Sequence, residues 1–175
     1  MSAPWVANVG EGAVEHCTPG WAPCSAQRWD VALWQQPVND LPTVCISITE
    51  PNRASGKARL PKGFADILRL EFQDYDTLTP GHHGPATAVL FDARMAARVA
   101  RFIRKHRGKN ILVHCAAGIS RSGAIAEAIA QAFPEYEDRG WPRHPNGLVR
   151  SLMKRALGLV PLGYEEPMDH AKVQP

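Results

Sequence analysis

One short stretch, His114-Cys115-Ala116-Ala117-Gly118-Ile119-Ser120-Arg121-Ser122, holds a nucleophile, a permanent cation and two hydroxyls within reach of a single loop. The peptide units of residues 116–121 can curl their N–H groups inward and form a concavity suited to a tetrahedral oxyanion. At the floor of such a cup the same donors, with a helix N-terminus, favour the thiolate of Cys115, which is the attacking form of cysteine. Arg121 closes the loop and can offer a planar fork to two oxygens, as a lysine's point charge cannot. Gly118 permits a positive φ and a close approach of backbone to ligand. The Ser122 hydroxyl is placed to donate toward the sulfur when it leaves. The chemistry these residues fit is attack by Cys115 on an anionic tetrahedral centre. The plain alternative is a packing cysteine beside a solvent-facing arginine, but packing cysteines rarely sit between a β-run and a helix start.

The flanking elements must bring this loop to a surface. Ile111-Leu112-Val113 reads as a buried strand delivering Cys115, and the Ala-rich pattern after Arg121 reads as a helix with Ile125, Ala128, Ile129, Ala132 and Phe133 inward, until Pro134 stops it. Thr43–Ile48 is a β-branched run between Pro42 and Pro51, hence a central strand, and Pro51-Asn52-Arg53 turns the chain. Ile67–Phe72 is the next strand and leads into Gln73-Asp74-Tyr75-Asp76 and a breaker-rich loop, Thr79 to Pro85. Asp92 caps a helix whose inner face is Met95, Val99, Phe102, Ile103 and His106, ending at Gly108. Its stripe of Arg94, Arg98, Arg101 and Lys105 reads more readily as a solvated face than as a docking site for an acidic partner. A last helix runs from a cap at Asn146 through Leu148, Val149, Leu152, Met153, Ala156 and Leu157 to Gly158. Strands with helices between and after them make an α/β fold.

The 175 residues suit one domain, expected over 1–160, with a catalytic core at 43–158 and a loose tail at 161–175. Residues 1–40, rich in Trp and Pro, read as a cap layer with one short strand near Val31–Trp34. A formal charge of +3 and a pI near 8.8 favour anionic ligands only mildly and fall short of a nucleic-acid protein's usual excess. Four cysteines, Cys17, Cys24, Cys45 and Cys115, make no disulfide scaffold. Cys17 and Cys24 beside His16 lack the fourth ligand of a metal site. Cys45 reads as core, with a regulatory disulfide to Cys115 as the alternative, to be decided by geometry. No apolar run approaches membrane-spanning length and no signal-peptide pattern stands at the start. The expectation is therefore a cytoplasmic monomer with no cofactor, metal, nucleic-acid or membrane partner.

His-Cys-x-x-Gly-x-x-Arg-Ser, in its strand-loop-helix setting, resembles the signature of the cysteine-dependent protein tyrosine and dual-specificity phosphatases, as a small single-domain member of bacterial or phage type. The resemblance covers roughly residues 43–158 and is strongest at 113–123. It implies a central, mostly parallel sheet flanked by helices, and a phosphomonoester hydrolase acting through a phosphocysteine on a phosphoprotein or small aryl phosphate. It makes Cys115 the nucleophile, with Arg121 and the loop residues His114, Ala116, Ala117, Gly118, Ile119 and Ser120 holding the phosphate, and Ser122 assisting the sulfur. It also implies a general acid in the loop after the preceding strand. Asp74 is the choice, because it follows the strand end directly, and Asp76 is the alternative. His82 and His83 read as exposed loop residues rather than substrate contacts. Neutral Ala116, Ala117 and Ile119 favour protein or aryl phosphates over lipid or RNA phosphates. A catalytically weak phosphopeptide-binding relative is the reading from another class. Arsenate reductases and rhodaneses also use cysteine anion loops, but neither needs the Asp74 loop.

Overall fold

A computed structural model of the chain describes residues 3–10, 39–51, 58–78, 81, 83–139 and 143–160. The elements in chain order are β1 (Trp5–Gly10), β2 (Thr43–Thr49), β3 (Ile67–Glu71), α1 (Ala93–Lys105), β4 (Asn110–Cys115), α2 (Arg121–Ala132), β5 (Glu137–Asp138) and α3 (Gly147–Leu157). The five strands form one all-parallel sheet in the order β3-β2-β4-β1-β5. β4 therefore lies at the centre, with Gly10 of β1 opposite Cys115 on one side and Ser47 of β2 opposite His114 on the other.

A parallel sheet covered on both faces reads as continuous apolar runs, and β2 and β4 are buried at every position. Alternation divides their side chains between two cores. Val44, Ile46, Ile48, Ile111, Val113 and Cys115 face a cluster that also holds Val99 and Ile103 of α1, Ile125 and Ile129 of α2, and Val149 and Met153 of α3. The described helices thus share one face of the sheet. Trp5, Ala7, Val9 and Leu112 face the other side, where Leu60 and Phe64 pack against them.

The helix ends follow their local chemistry. Asp92 accepts the Met95 N–H at 2.7 Å, and Arg104 and Lys105 occupy the last turn of α1, where cations suit the negative pole. Asn146 caps α3 through the Val149 N–H at 3.0 Å, and Gly158 ends it at φ +80°.

The main correction to the sequence reading concerns the N-terminus. Residues 5–10, assigned to a cap layer, are an interior strand between β4 and β5. Six residues with Asn8 among them, covered on both faces, show neither alternation nor a long apolar run. β5, with two exposed residues, was equally invisible. The expected strand near Val31–Trp34, His16, Cys17 and Cys24, most of the turn after Pro51, His82 and the tail at 161–175 lie outside the described residues. Among the described residues no helix is long and apolar enough to cross a membrane.

Candidate active site

The sheet's carboxyl edge gathers Gly10, Glu50, Asp74 and Cys115, each at or just beyond the end of a different strand. That edge is where parallel α/β sheets place ligands. Cys115 ends β4 almost wholly buried; its Sγ accepts the Gly118 N–H at 3.3 Å and lies 3.2 Å from Ser122 Oγ. α2 starts at Arg121, and Ser120 before it makes no side-chain cap to the helix. The first-turn N–H groups beside the sulfur are thus not taken by the side chain that would ordinarily cover them.

Gly118 is at φ +75°, and a Cβ there would stand 2.2 Å from Gly10 N and 2.3 Å from the Val9 carbonyl carbon. Both the turn and the press of β1 against the loop exclude a side chain. From the same strand Asn8 donates through Nδ2 to the Gly118 carbonyl at 2.7 Å. In a trans peptide the carbonyl and the following N–H point in opposite directions, so this bond turns the Ile119 N–H away from Asn8. Asn8 is held in turn by Arg143, whose Nε donates to Asn8 Oδ1 at 2.8 Å and whose Nη1 reaches Asp138 at 2.7 Å.

Arg121 is 2% exposed. Its Nη1 donates to the Phe72 carbonyl at 2.7 Å and meets Glu50 Oε1 at 2.7 Å, while the Phe72 ring lies 5.8 Å from the guanidinium carbon. Nε is buried without a hydrogen bond to any described residue, 3.7 Å from Asp74 Oδ2. One edge of the fork is tied down and the other retains donor capacity, an expensive arrangement for a buried cation unless an acceptor comes to it.

The two candidate acids separate cleanly. Asp74 is exposed at the mouth; its Oδ1 accepts from Ser120 Oγ at 2.8 Å and from Asn146 Nδ2 at 3.1 Å. Asp76 is buried and turned the other way, accepting the N–H groups of Gly147 at 2.7 Å, Leu148 at 3.1 Å and Leu78 at 3.0 Å. Asp76 is thus the carboxylate at the positive pole of α3, engaged there by backbone N–H groups. The loop bearing Asp74 is closed at its base by Gln73, whose N–H donates to the Val89 carbonyl at 2.8 Å and whose Oε1 accepts the Val89 N–H at 2.9 Å. Gly84 presses on the Tyr75 ring, where a Cβ would come within 2.4 Å of Cγ.

Ala116 and Ala117 are exposed, Ile119 and Ser120 half-buried, and Gly118 buried. His114 is fully buried and, by alternation, on the opposite face of the sheet from Cys115. Its expected contact with an anion is therefore replaced by a place beneath the strand end. His83 is exposed. A disulfide from Cys45 to Cys115 is excluded: both are free, Cys45 pairs with Leu112, three residues short of Cys115, and the two point to opposite faces. Three residues of strand is about 10 Å, beyond the ~7 Å limit between bridged Cα atoms.

Glu50, Asn8 and Asn146 were missed as site residues. Glu50 directly follows a strand and Asn146 reads from sequence as a cap, but their nearness to Arg121 and Asp74 depends on strand order and helix packing. Among the described residues no group of three or more His, Cys, Asp or Glu is placed to hold a metal ion. Comparison of the chain with protein-family models, with curated proteins and with solved structures returns no match.

Proposed function

We propose that the protein is a cysteine-dependent phosphomonoester hydrolase of the protein tyrosine or dual-specificity phosphatase type, acting on phosphoprotein or small aryl phosphates. The observation that carries the reading is Arg121: a buried guanidinium tied on one edge by Glu50 and Phe72, its Nε without a hydrogen bond among the described residues, at the end of a loop whose floor is Cys115. A phosphate seated in the cup would accept the loop N–H groups and the open edge of Arg121.

In the first step the Cys115 sulfur forms a bond to phosphorus as the ester P–O bond breaks, and Asp74 gives its proton to the departing oxygen. In the second, water attacks the phosphocysteine, its proton passes to Asp74, and the thiolate leaves with Ser122 donating toward it. Charge spreads over the equatorial oxygens in such transition states, so Arg121 and the amides stabilise them as well as the bound substrate. The reading also implies a reducing compartment, consistent with the cytoplasmic expectation.

The test is turnover of p-nitrophenyl phosphate by the full chain, with Cys115→Ser alongside. The expected result is hydrolysis that the variant loses while still binding a phosphate analogue. Residual activity above about one per cent would reject a covalent cysteine mechanism. An inert wild-type protein that binds phosphotyrosine peptides would instead favour the binding-module reading.

A further inference from the structure

We infer that the face formed by α1 and α3 docks an acidic segment of the phosphoprotein substrate, next to the cup that receives its phosphorylated residue. The inference deepens the phosphatase reading and rests on it for the name of the partner.

Charge is distributed unevenly in this chain. α1 carries five Lys or Arg residues and α3 three, and neither helix holds an acidic residue. Eight positive charges on two helices, against +3 for the whole chain, leave the remainder at −5. A nearly neutral protein thus concentrates its positive charge on two neighbouring helices, and such segregation steers a partner of opposite sign. The two helices are neighbours: Arg104 on α1 donates through Nη2 to the Ala156 carbonyl on α3 at 3.0 Å.

The charge on α1 is largely uncompensated. Lys105 pairs with Asp66 at 3.0 Å, but Arg98 and Arg104 bond to carbonyls, which steady the side chains without cancelling them. Arg94 and Arg101 make no hydrogen bond or ion pair with a carboxylate among the described residues, and both are exposed. Positions 94, 98, 101 and 105 recur at helical spacing and form one stripe along the outer surface.

The stripe's position favours a substrate segment. Arg94 follows the Asp92 cap, a few residues after Val89 closes the base of the Asp74 loop, and the first residues of α3 sit on Asp76 beside Asn146, which holds Asp74. The positive face therefore begins at the mouth and leads away from it. Between the arginines α1 exposes only Ala93 and Ala97, so it offers no large apolar group for a membrane and no aromatic ring for stacked bases. An acidic peptide needs neither.

The experiment compares phosphotyrosine peptides carrying four Glu on one side of the phosphorylated residue with their Gln counterparts, using the full chain and Arg94→Glu/Arg101→Glu. The expected result is a kcat/KM advantage of about 10-fold for the Glu peptides at low salt, shrinking as ionic strength rises and lost in the double variant. Hydrolysis of p-nitrophenyl phosphate should be the same in both proteins. Equal rates on Glu and Gln peptides, or an advantage that survives the double substitution, would overturn the inference. A variant-sensitive affinity for RNA or phosphatidylserine vesicles without one for the Glu peptide would overturn it in favour of another partner. Fluorescence anisotropy with an unphosphorylated Glu-rich peptide reads the same surface without turnover. An inert enzyme that binds this peptide through Arg94 and Arg101 would sink the catalytic reading and leave the docking surface standing.

Discussion

At the scale of single residues, the site gives different surroundings to two carboxylates that the sequence ranks only by their distance from a strand end. Asp74 and Asp76 stand two positions apart, yet one meets Ser120, Asn146 and Arg121 at the mouth and the other accepts three backbone N–H groups at the start of α3. Asp74→Asn cannot protonate a leaving oxygen, so its loss in kcat should grow with leaving-group pKa, from little for a nitrophenolate to about 10² to 10⁴ for phosphotyrosine or alkyl phosphates. Asp76→Asn should show no such dependence and should lower stability instead, by about 1–3 kcal/mol, because an amide replaces two charged acceptor oxygens with one neutral one. Rates across a series of aryl phosphates and urea midpoints check both; a leaving-group effect confined to Asp76→Asn would reverse the roles. Arg121→Lys tests the fork. Nη1 already serves Phe72 and Glu50, and a lysine cannot satisfy them and an incoming oxyanion together, so kcat/KM should fall by about 100-fold or more. A near-normal rate would mean that Arg121 does not clamp phosphate.

At the scale of elements, what was legible depended on whether a residue's meaning was local. The strand-loop-helix around Cys115, the Asp92 and Asn146 caps and the stop at Gly158 are set by neighbours in sequence and stand where periodicity and capping chemistry put them, while the helix expected to run to Gly108 ends at Lys105 with His106 as its cap. β1 was missed because its role is set by β4: Asn8 matters through Gly118, over a hundred residues away. Asn8→Ala should therefore weaken binding of a phosphate analogue and raise KM. The buried Gly118 carbonyl loses its donor and the Ile119 N–H is no longer oriented, while Cys115 itself stays in place. Vanadate titration checks it, and an unchanged affinity would make Asn8 a packing residue only.

Asp66 supplies a second prediction at this scale, because it joins the start of β3 to the end of α1. Its carboxylate takes bonds from Lys105 at 3.0 Å and His106 at 2.8 Å, which hold its pKa down at about 2 from the ordinary 3.8. A folded-state value below the unfolded one stabilises the fold above the unfolded pKa, and that contribution is lost as pH falls through the folded one. The difference in urea midpoint between wild type and Asp66→Asn should thus be steady above about pH 5 and shrink toward pH 2. A difference that does not change across that window would show that Asp66 gains nothing from its partners.

At the scale of the whole molecule, the all-parallel sheet sends every strand's carboxyl end to one edge, so residues far apart in sequence converge without a dedicated scaffold. The same sheet keeps its two faces apart. Cys115 belongs to the helix-covered face and Cys45 to the other, although their strands are neighbours. Sequence alone places the two cysteines on strands of one sheet and leaves a regulatory disulfide open; register and alternation close it. On the proposed function, oxidation by peroxide should therefore abolish activity at Cys115 without help from Cys45. Wild type and Cys45→Ala should lose activity at the same rate, recover to the same extent with dithiothreitol, and yield no peptide crosslinked between the two positions in a mass spectrum. Recovery that drops in Cys45→Ala, or a Cys45–Cys115 crosslinked peptide from the wild type, would require β2 and β4 to slide by three residues. That slip would move Cys45 to the helix-covered face together with every other side chain of β2, carrying Ile46 and Ile48 out of the core they share with α1 and α2. The resistance of those isoleucines to leaving the core is what keeps the two sulfurs apart.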